Sequence, residues 1–169
     1  MDDNLAINVG AALNQRGLKL ITAESCTGGL IGDMLTDVPG SSDYFICGIV
    51  AYAYEAKMRL LGVPPGLLAQ YGAVSRETVL EMARGARIAL ADEYPLDTLV
   101  SISVSGIAGP GGGMPEKPVG LVWIGMSTPD GDRAWRYIWD GDRRANKQYS
   151  AHQALRLVLD YLQNGLPEE

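Results

Sequence analysis

The sequence predicts an α/β layered fold, an α/β/α sandwich in which a mixed β-sheet is covered by helices. Three observations carry that expectation. Through the first hundred residues, segments with apolar residues at helical spacing alternate with short β-branched runs, as strands joined by helical crossovers do. Late in the chain, Asp130-Gly131 is a hairpin signal between two apolar runs, so the sheet gains an antiparallel pair. From Arg143 through Leu162 a long helical pattern closes the chain before an acidic tail expected to fray.

Taken in order, Leu5, Val9 and Leu13 with the alanines between them fit an amphipathic helix ending near Gly17. Leu18, Leu20 and Ile21 lead a buried strand to Ala23. Leu30, Ile31, Met34 and Leu35 then share one face of a second helix, which Val38-Pro39-Gly40 ends. Phe45 to Tyr52 reads as a strand, Glu55 to Leu61 as a short helix closed by Gly62, and Pro64-Pro65 opens another piece to Tyr71. Ser75 starts a longer helix with Val79, Met82, Ala86, Ile88 and Leu90 apolar. Asp97 to Ser105 alternates small polar with apolar residues and reads as a strand. After a glycine- and proline-rich loop from Gly106 to Gly120, Leu121–Ser127 and Ala134–Trp139 form the hairpin. No repeat, low-complexity stretch or linker divides the chain, so residues 1–169 are expected to form one domain.

The totals bound the function. A formal net charge of −6 with no Lys/Arg cluster argues against direct nucleic-acid contact, which draws its affinity from neutralised phosphates. Two cysteines, Cys26 and Cys47, make no disulfide framework and fit a reducing compartment. The one histidine, His152, has no Cys or carboxylate at ligand spacing, so no metal is expected. No apolar run reaches membrane length, and the first residues lack the basic start of a signal peptide; a cytoplasmic protein is expected.

Chemistry is expected where predicted strands end. Thr22-Ala23-Glu24-Ser25-Cys26-Thr27-Gly28-Gly29 runs from a strand into a helix, where backbone N–H groups lack helical partners and the helix dipole adds positive charge. A hydroxyl there reads either as a nucleophile beside an oxyanion hole or as a helix cap, and Ser25 and Thr27 fit both readings. Lys57, in a second strand-to-helix passage, is the candidate general base or a solvated helix residue; Tyr52 is a proton donor or part of the core. Ser105-Gly106-Ile107-Ala108-Gly109-Pro110-Gly111 matches neither a dinucleotide fingerprint nor a P-loop; it is a nest of N–H groups for a phosphate or a flexible surface loop.

Five stretches, in order along nearly the whole chain, resemble the CinA C-terminal domain family. They are residues 22–29 above, Gly72-Ala73-Val74-Ser75, Ser105 to Pro110, Glu116-Lys117-Pro118-Val119-Gly120 and Gly141-Asp142-Arg143. Members include stand-alone nicotinamide mononucleotide deamidases, whose length this chain resembles, without the N-terminal domain of longer members. The resemblance implies hydrolysis of the carboxamide of nicotinamide mononucleotide to nicotinate mononucleotide and ammonia, a step of pyridine nucleotide salvage. Ser25 would attack the carboxamide, Lys57, kept neutral by burial, would take its proton, and Tyr52 would assist transfer toward the leaving amine. Backbone N–H groups near Thr27, Gly28 and Gly29 would hold the oxyanion. Ser105, Gly106, Gly109 and Gly111 would cradle the ribose phosphate, with charge from Arg143 and Lys117. The resemblance implies no metal or cofactor, a small-molecule pyridine mononucleotide as partner, and a homo-oligomer, dimer or higher.

The chain departs from the family pattern at Ala53 and Tyr54, where polar residues are usual, and at Cys47, Ala51 and Lys147. If the helix begins near Tyr54, Tyr54 and Lys57 stand three apart on one face, so Tyr54 is expected to crowd Lys57 or the substrate, or to give its hydroxyl to the ligand; the alternative is that it turns outward. A second reading is therefore a nucleotide-binding or regulatory protein with little turnover. A third, a DNA-uptake partner, meets the objection of charge.

Overall fold

The structure is a computed structural model, and it describes residues 4–169. Five strands form one mixed sheet in the order β2-β1-β3-β4-β5. β1 (Lys19–Glu24) lies parallel to both β2 (Phe45–Val50) and β3 (Leu99–Gly106), while β3, β4 (Leu121–Thr128) and β5 (Gly131–Ile138) run antiparallel. Helices α1 (Leu5–Arg16), α2 (Leu30–Thr36) and α6 (Arg143–Asn164) cover one face, and α3 (Tyr54–Leu61), α4 (Pro65–Tyr71) and α5 (Arg76–Ile88) cover the other. The layered α/β sandwich with a mixed sheet is thus the fold the sequence predicts.

Strand alternation divides the core in two. Leu20, Val100, Ile102, Val104, Ile124 and Met126 point to α1, α2 and α6, where Leu13, Ile31, Leu35, Leu155 and Val158 meet them, all fully buried. Ile21, Ala23 and Leu99 point the other way, to Leu61, Leu68, Met82 and Ala86. On that second face β3 presents Ser101 and Ser103, whose hydroxyls donate to the carbonyls of Ala83 and Val79 on α5 at 2.6 Å each. Buried hydroxyls are tolerated because each finds an acceptor. Small residues let α5 lie close: a side chain on Gly125 would stand 2.5 Å from the Val79 carbonyl oxygen.

Several boundaries differ from the sequence expectation. β2 stops at Val50 rather than Tyr52, because the carbonyls of Ala51 and Tyr52 turn to accept hydrogen bonds from Lys57. β3 begins at Leu99 rather than Asp97, since Leu96–Thr98 form a turn of 3-10 helix after Pro95. α5 ends at Ile88, which is exposed, not buried, and Leu90 lies beyond the helix. Ser75 does cap α5, accepting the Thr78 N–H at 3.1 Å. Thr128 and Gly131 close the hairpin as a pair.

This topology opens a crevice. β1 and β2 are parallel neighbours, yet the chain leaves β1 into α2 on one face and β2 into α3 on the other. Where successive crossovers diverge, the carboxyl ends of the strands are left uncovered. Ser25, the 51–57 segment and the loop after β3 all lie there.

Candidate active site

The turn after β1 is held by Glu24. Its carboxylate is buried and accepts the N–H groups of Gly29 at 2.9 Å, Ile31 at 3.2 Å and Gly32 at 3.0 Å. Those are the orphan donors of α2, so Glu24 does the capping that the sequence offered to Ser25 or Thr27. Ser25 is thereby free for other work. Its N–H donates to the Val104 carbonyl at 2.9 Å, which fixes the residue at the end of the sheet. Glu24 is a functional residue that the sequence does not single out, although an acid just before a helix start is a signal for one.

Lys57 is 1% exposed. Its Nζ stands 2.9 Å from Ser25 Oγ, 2.7 Å from the Ala51 carbonyl and 3.1 Å from the Tyr52 carbonyl. A lysine buried this deeply loses hydration, and desolvation lowers its pKa from 10.5 to about 8. The three partners suit both protonation states. As an ammonium, Lys57 donates to two carbonyls and to the serine oxygen. As an amine, it keeps two donations to the carbonyls and turns its lone pair to the serine hydroxyl. One proton can therefore move between Ser25 and Lys57 without rearranging the site. Cys26 is not a rival nucleophile, since burial pushes its thiol up to about 12.

Ser25 and Lys57 lie in a cleft of about 270 Å³, with Tyr52, Ser105, Gly106, Gly109, Gly111 and Arg143 also on its lining. The structure brings these sequence candidates together but gives some of them other work. Tyr52 holds Lys57 through its backbone carbonyl, while its ring is 60% exposed and its hydroxyl accepts from Arg143 at 3.1 Å. The hydroxyl thus bonds neither Ser25 nor Lys57, as the peptide rather than the ring faces the lysine. Arg143 also donates to the Gly109 carbonyl at 2.8 Å, linking the mouth of the cleft to the glycine loop. Ser105 donates to the Ala73 carbonyl at 2.7 Å.

Thr27, Gly28 and Gly29 do not line the cleft. The Gly28 N–H donates to the Ser25 carbonyl at 3.1 Å and the Gly29 N–H to Glu24, so both donors are committed. Of the residues in this turn after Ser25, Cys26 alone lines the cleft. Both glycines have positive φ, +66° and +97°, and a side chain on Gly28 would approach the Lys147 ammonium at 3.8 Å. Lys117 reaches the Tyr71 carbonyl at 2.6 Å rather than the cleft. Tyr54 is off the lining too; its hydroxyl accepts the Ala73 N–H at 3.2 Å.

Besides Glu24, Asn146 has a role here that the sequence does not single out, and Ala73 and Val74, marked there only as part of the Gly72–Ser75 family stretch, have a place in the site. Asn146 is buried, donates to the Ala108 carbonyl at 3.1 Å and accepts the Gly141 N–H at 3.0 Å, pinning the glycine loop to α6. Ala73 and Val74 form part of the cleft wall. No charge or hydrogen-bonding side chain marks them in sequence.

Comparison with known proteins bears on this geometry. The CinA C-terminal domain pattern matches residues 2–162. The chain belongs to the CinA C-terminal domain family. A nicotinamide-nucleotide amidohydrolase PncC of Shigella flexneri is 46% identical over 162 residues, covering 95% of this chain and 94% of the relative. A competence-damage inducible protein of Moorella thermoacetica is also 46% identical, over 157 residues and 93% of this chain. The chain spans only 36% of that longer relative. Among solved structures, the competence/damage inducible protein CihA of Agrobacterium tumefaciens superposes with a TM-score of 0.84 at 37% identity, with 95% of each chain covered. Within the CinA family, then, similarity reaches both an amidohydrolase of matching extent and longer proteins named without an activity. No helix among the described residues is long and apolar enough to cross a membrane.

Proposed function

We propose that this protein hydrolyses the carboxamide of nicotinamide mononucleotide, releasing ammonia and nicotinate mononucleotide through an acyl-enzyme on Ser25. The observation that carries the reading is the 2.9 Å approach of a buried, pKa-lowered Lys57 to Ser25 at the end of the sheet. Similarity to an amidohydrolase over nearly the full length of both chains supports the choice of reaction.

Ser25 Oγ attacks the carboxamide carbon as its proton passes to the Lys57 amine. Negative charge develops on the carboxamide oxygen, and the N–H of Cys26, the residue beside Ser25 on the cleft lining, is the donor that receives it. Lys57, now an ammonium, returns the proton to the departing nitrogen as ammonia leaves. Water then adds to the acyl-enzyme with Lys57 again as base, and nicotinate mononucleotide is freed. Tyr52 supports this sequence through its carbonyl. Its hydroxyl, with Arg143 and the glycine loop, takes the ribose phosphate side of the substrate. The same reading includes a single domain over residues 1–169, a cytoplasmic setting, pyridine nucleotide salvage and a homo-oligomer. Edge strand β2, with no charged residue, is the surface that supports self-association.

Ammonia release from nicotinamide mononucleotide by the wild type and by Ser25→Ala tests the reading. The wild type is expected to form ammonia and nicotinate mononucleotide in equal amounts. Ser25→Ala is expected to fold normally and to lose at least about three orders of magnitude in rate. Turnover of the variant within about tenfold of wild type overturns the nucleophile assignment. Binding of the mononucleotide without ammonia release would favour the regulatory reading.

A further inference from the structure

The turn between α4 and α5 is held by side chains from four separate places. Lys117, from the glycine-rich loop, donates to the Tyr71 carbonyl at 2.6 Å. Thr78 Oγ1 donates to the Gly72 carbonyl at 2.7 Å. Ser105, at the end of β3, donates to the Ala73 carbonyl at 2.7 Å. The remaining polar atom of Ala73, its N–H, goes to the Tyr54 hydroxyl at 3.2 Å. Both backbone polar groups of Ala73 are thus fixed by side chains, and Ala73 and Val74 are part of the cleft wall beside Ser25.

Tyr54 comes from the first turn of α3, the helix that carries Lys57. Its ring is 47% exposed, too open for its main contribution to be core packing. Its polar contact is with the wall. One turn further along the same helix, the Lys57 amine reaches Ser25. The distance between wall and nucleophile is therefore set through one rigid turn of helix, with Tyr54 at one end and Lys57 at the other.

We propose that Tyr54 is a positioning residue for substrate: by accepting the Ala73 N–H it fixes the Ala73–Val74 wall relative to Ser25 and Lys57. This rests on the deamidase reading for its substrate but not for the brace itself. Loss of the hydroxyl leaves the wall free to move away from the bound ring, weakening binding while the Ser25–Lys57 pair stays as it is.

Tyr54→Phe removes the acceptor and keeps the ring. Two measurements on it test the inference. Amide hydrogen exchange at Ala73, followed by NMR, is expected to speed up at least about tenfold, with exchange in the sheet unchanged. Steady-state kinetics on nicotinamide mononucleotide are expected to show KM raised about 3- to 10-fold, with kcat within about twofold and the pH midpoint of kcat unmoved. Unchanged exchange at Ala73 overturns the brace whatever the activity. Faster exchange with an unchanged KM, or an equal loss carried by kcat, overturns the positioning role. A wild type that releases no ammonia overturns the deamidase reading instead, and Ala73 exchange then decides on the brace alone.

Discussion

A serine hydroxyl is a poor nucleophile and a lysine a poor base at neutral pH; here each is changed by where it stands. Burial at 1% exposure removes the hydration that keeps a lysine charged, so Lys57 gives up its proton near pH 8 instead of 10.5. The active form is the amine, which is the minor form below that pH and the major one above it. Activity limited by this base is therefore expected to rise about tenfold per pH unit on the acid side and level off above about 8, read as kcat/KM against pH. A flat profile from pH 6 to 9 would remove Lys57 from the base role. At this scale strand-end position leaves Ser25 open between nucleophile and cap and Lys57 between base and solvated residue, and it is the family resemblance that gives both a catalytic role. It misread Tyr52, because the same residue offers a carbonyl and a hydroxyl in different directions, and only the folded backbone decides which faces the lysine.

Elements carry these residues, and α2, directly after Ser25, is only seven residues long. So short a helix is marginal by itself. Glu24 compensates by accepting the N–H of its N-cap Gly29 and those of Ile31 and Gly32 in its first turn. Glu24→Ala leaves those donors buried without partners and is expected to destabilise the fold by about 2–4 kcal/mol, with Glu24→Gln losing less because one acceptor oxygen remains. Urea melts of the two variants check this, and a change below about 0.5 kcal/mol for Glu24→Ala would mean that water replaces the carboxylate. Most elements were legible in sequence, since hydrophobic period and glycine, proline or serine punctuation mark α1, α5 and the β4–β5 hairpin. Their ends were less so. β2 ends where Lys57 claims the next two carbonyls, a contact 5 and 6 residues away along the chain that no local pattern records. The family stretch Gly72–Ser75 marks Ala73 and Val74 without giving them a role, because their place in the cleft wall is fixed by Tyr54 and Ser105 and not by their own side chains.

Over the whole molecule, the sheet brings three parallel strand ends to one crevice and leaves two edges to be dealt with. At the β5 edge the end of the chain folds back. The Trp135 indole N–H donates to the Glu168 carbonyl at 2.6 Å, the Ala134 N–H reaches the Glu169 carboxylate at 3.3 Å, and that carboxylate also pairs with Arg76. The sequence reading expected these acidic residues to fray. Instead they occupy a strand donor that would otherwise be free to pair with another molecule. The consequence concerns solubility more than folding energy. Exposed ion pairs add little stability, so deleting Glu168 and Glu169 is expected to move the melting temperature by no more than about 3 °C. The same deletion uncovers the rim of a five-stranded sheet, and dynamic light scattering at rising protein concentration is expected to show larger particles for the shortened chain than for the full one. Glu168 and Glu169 would then act as a guard against clumping, and any change beside them would need to leave their grip on β5 undisturbed.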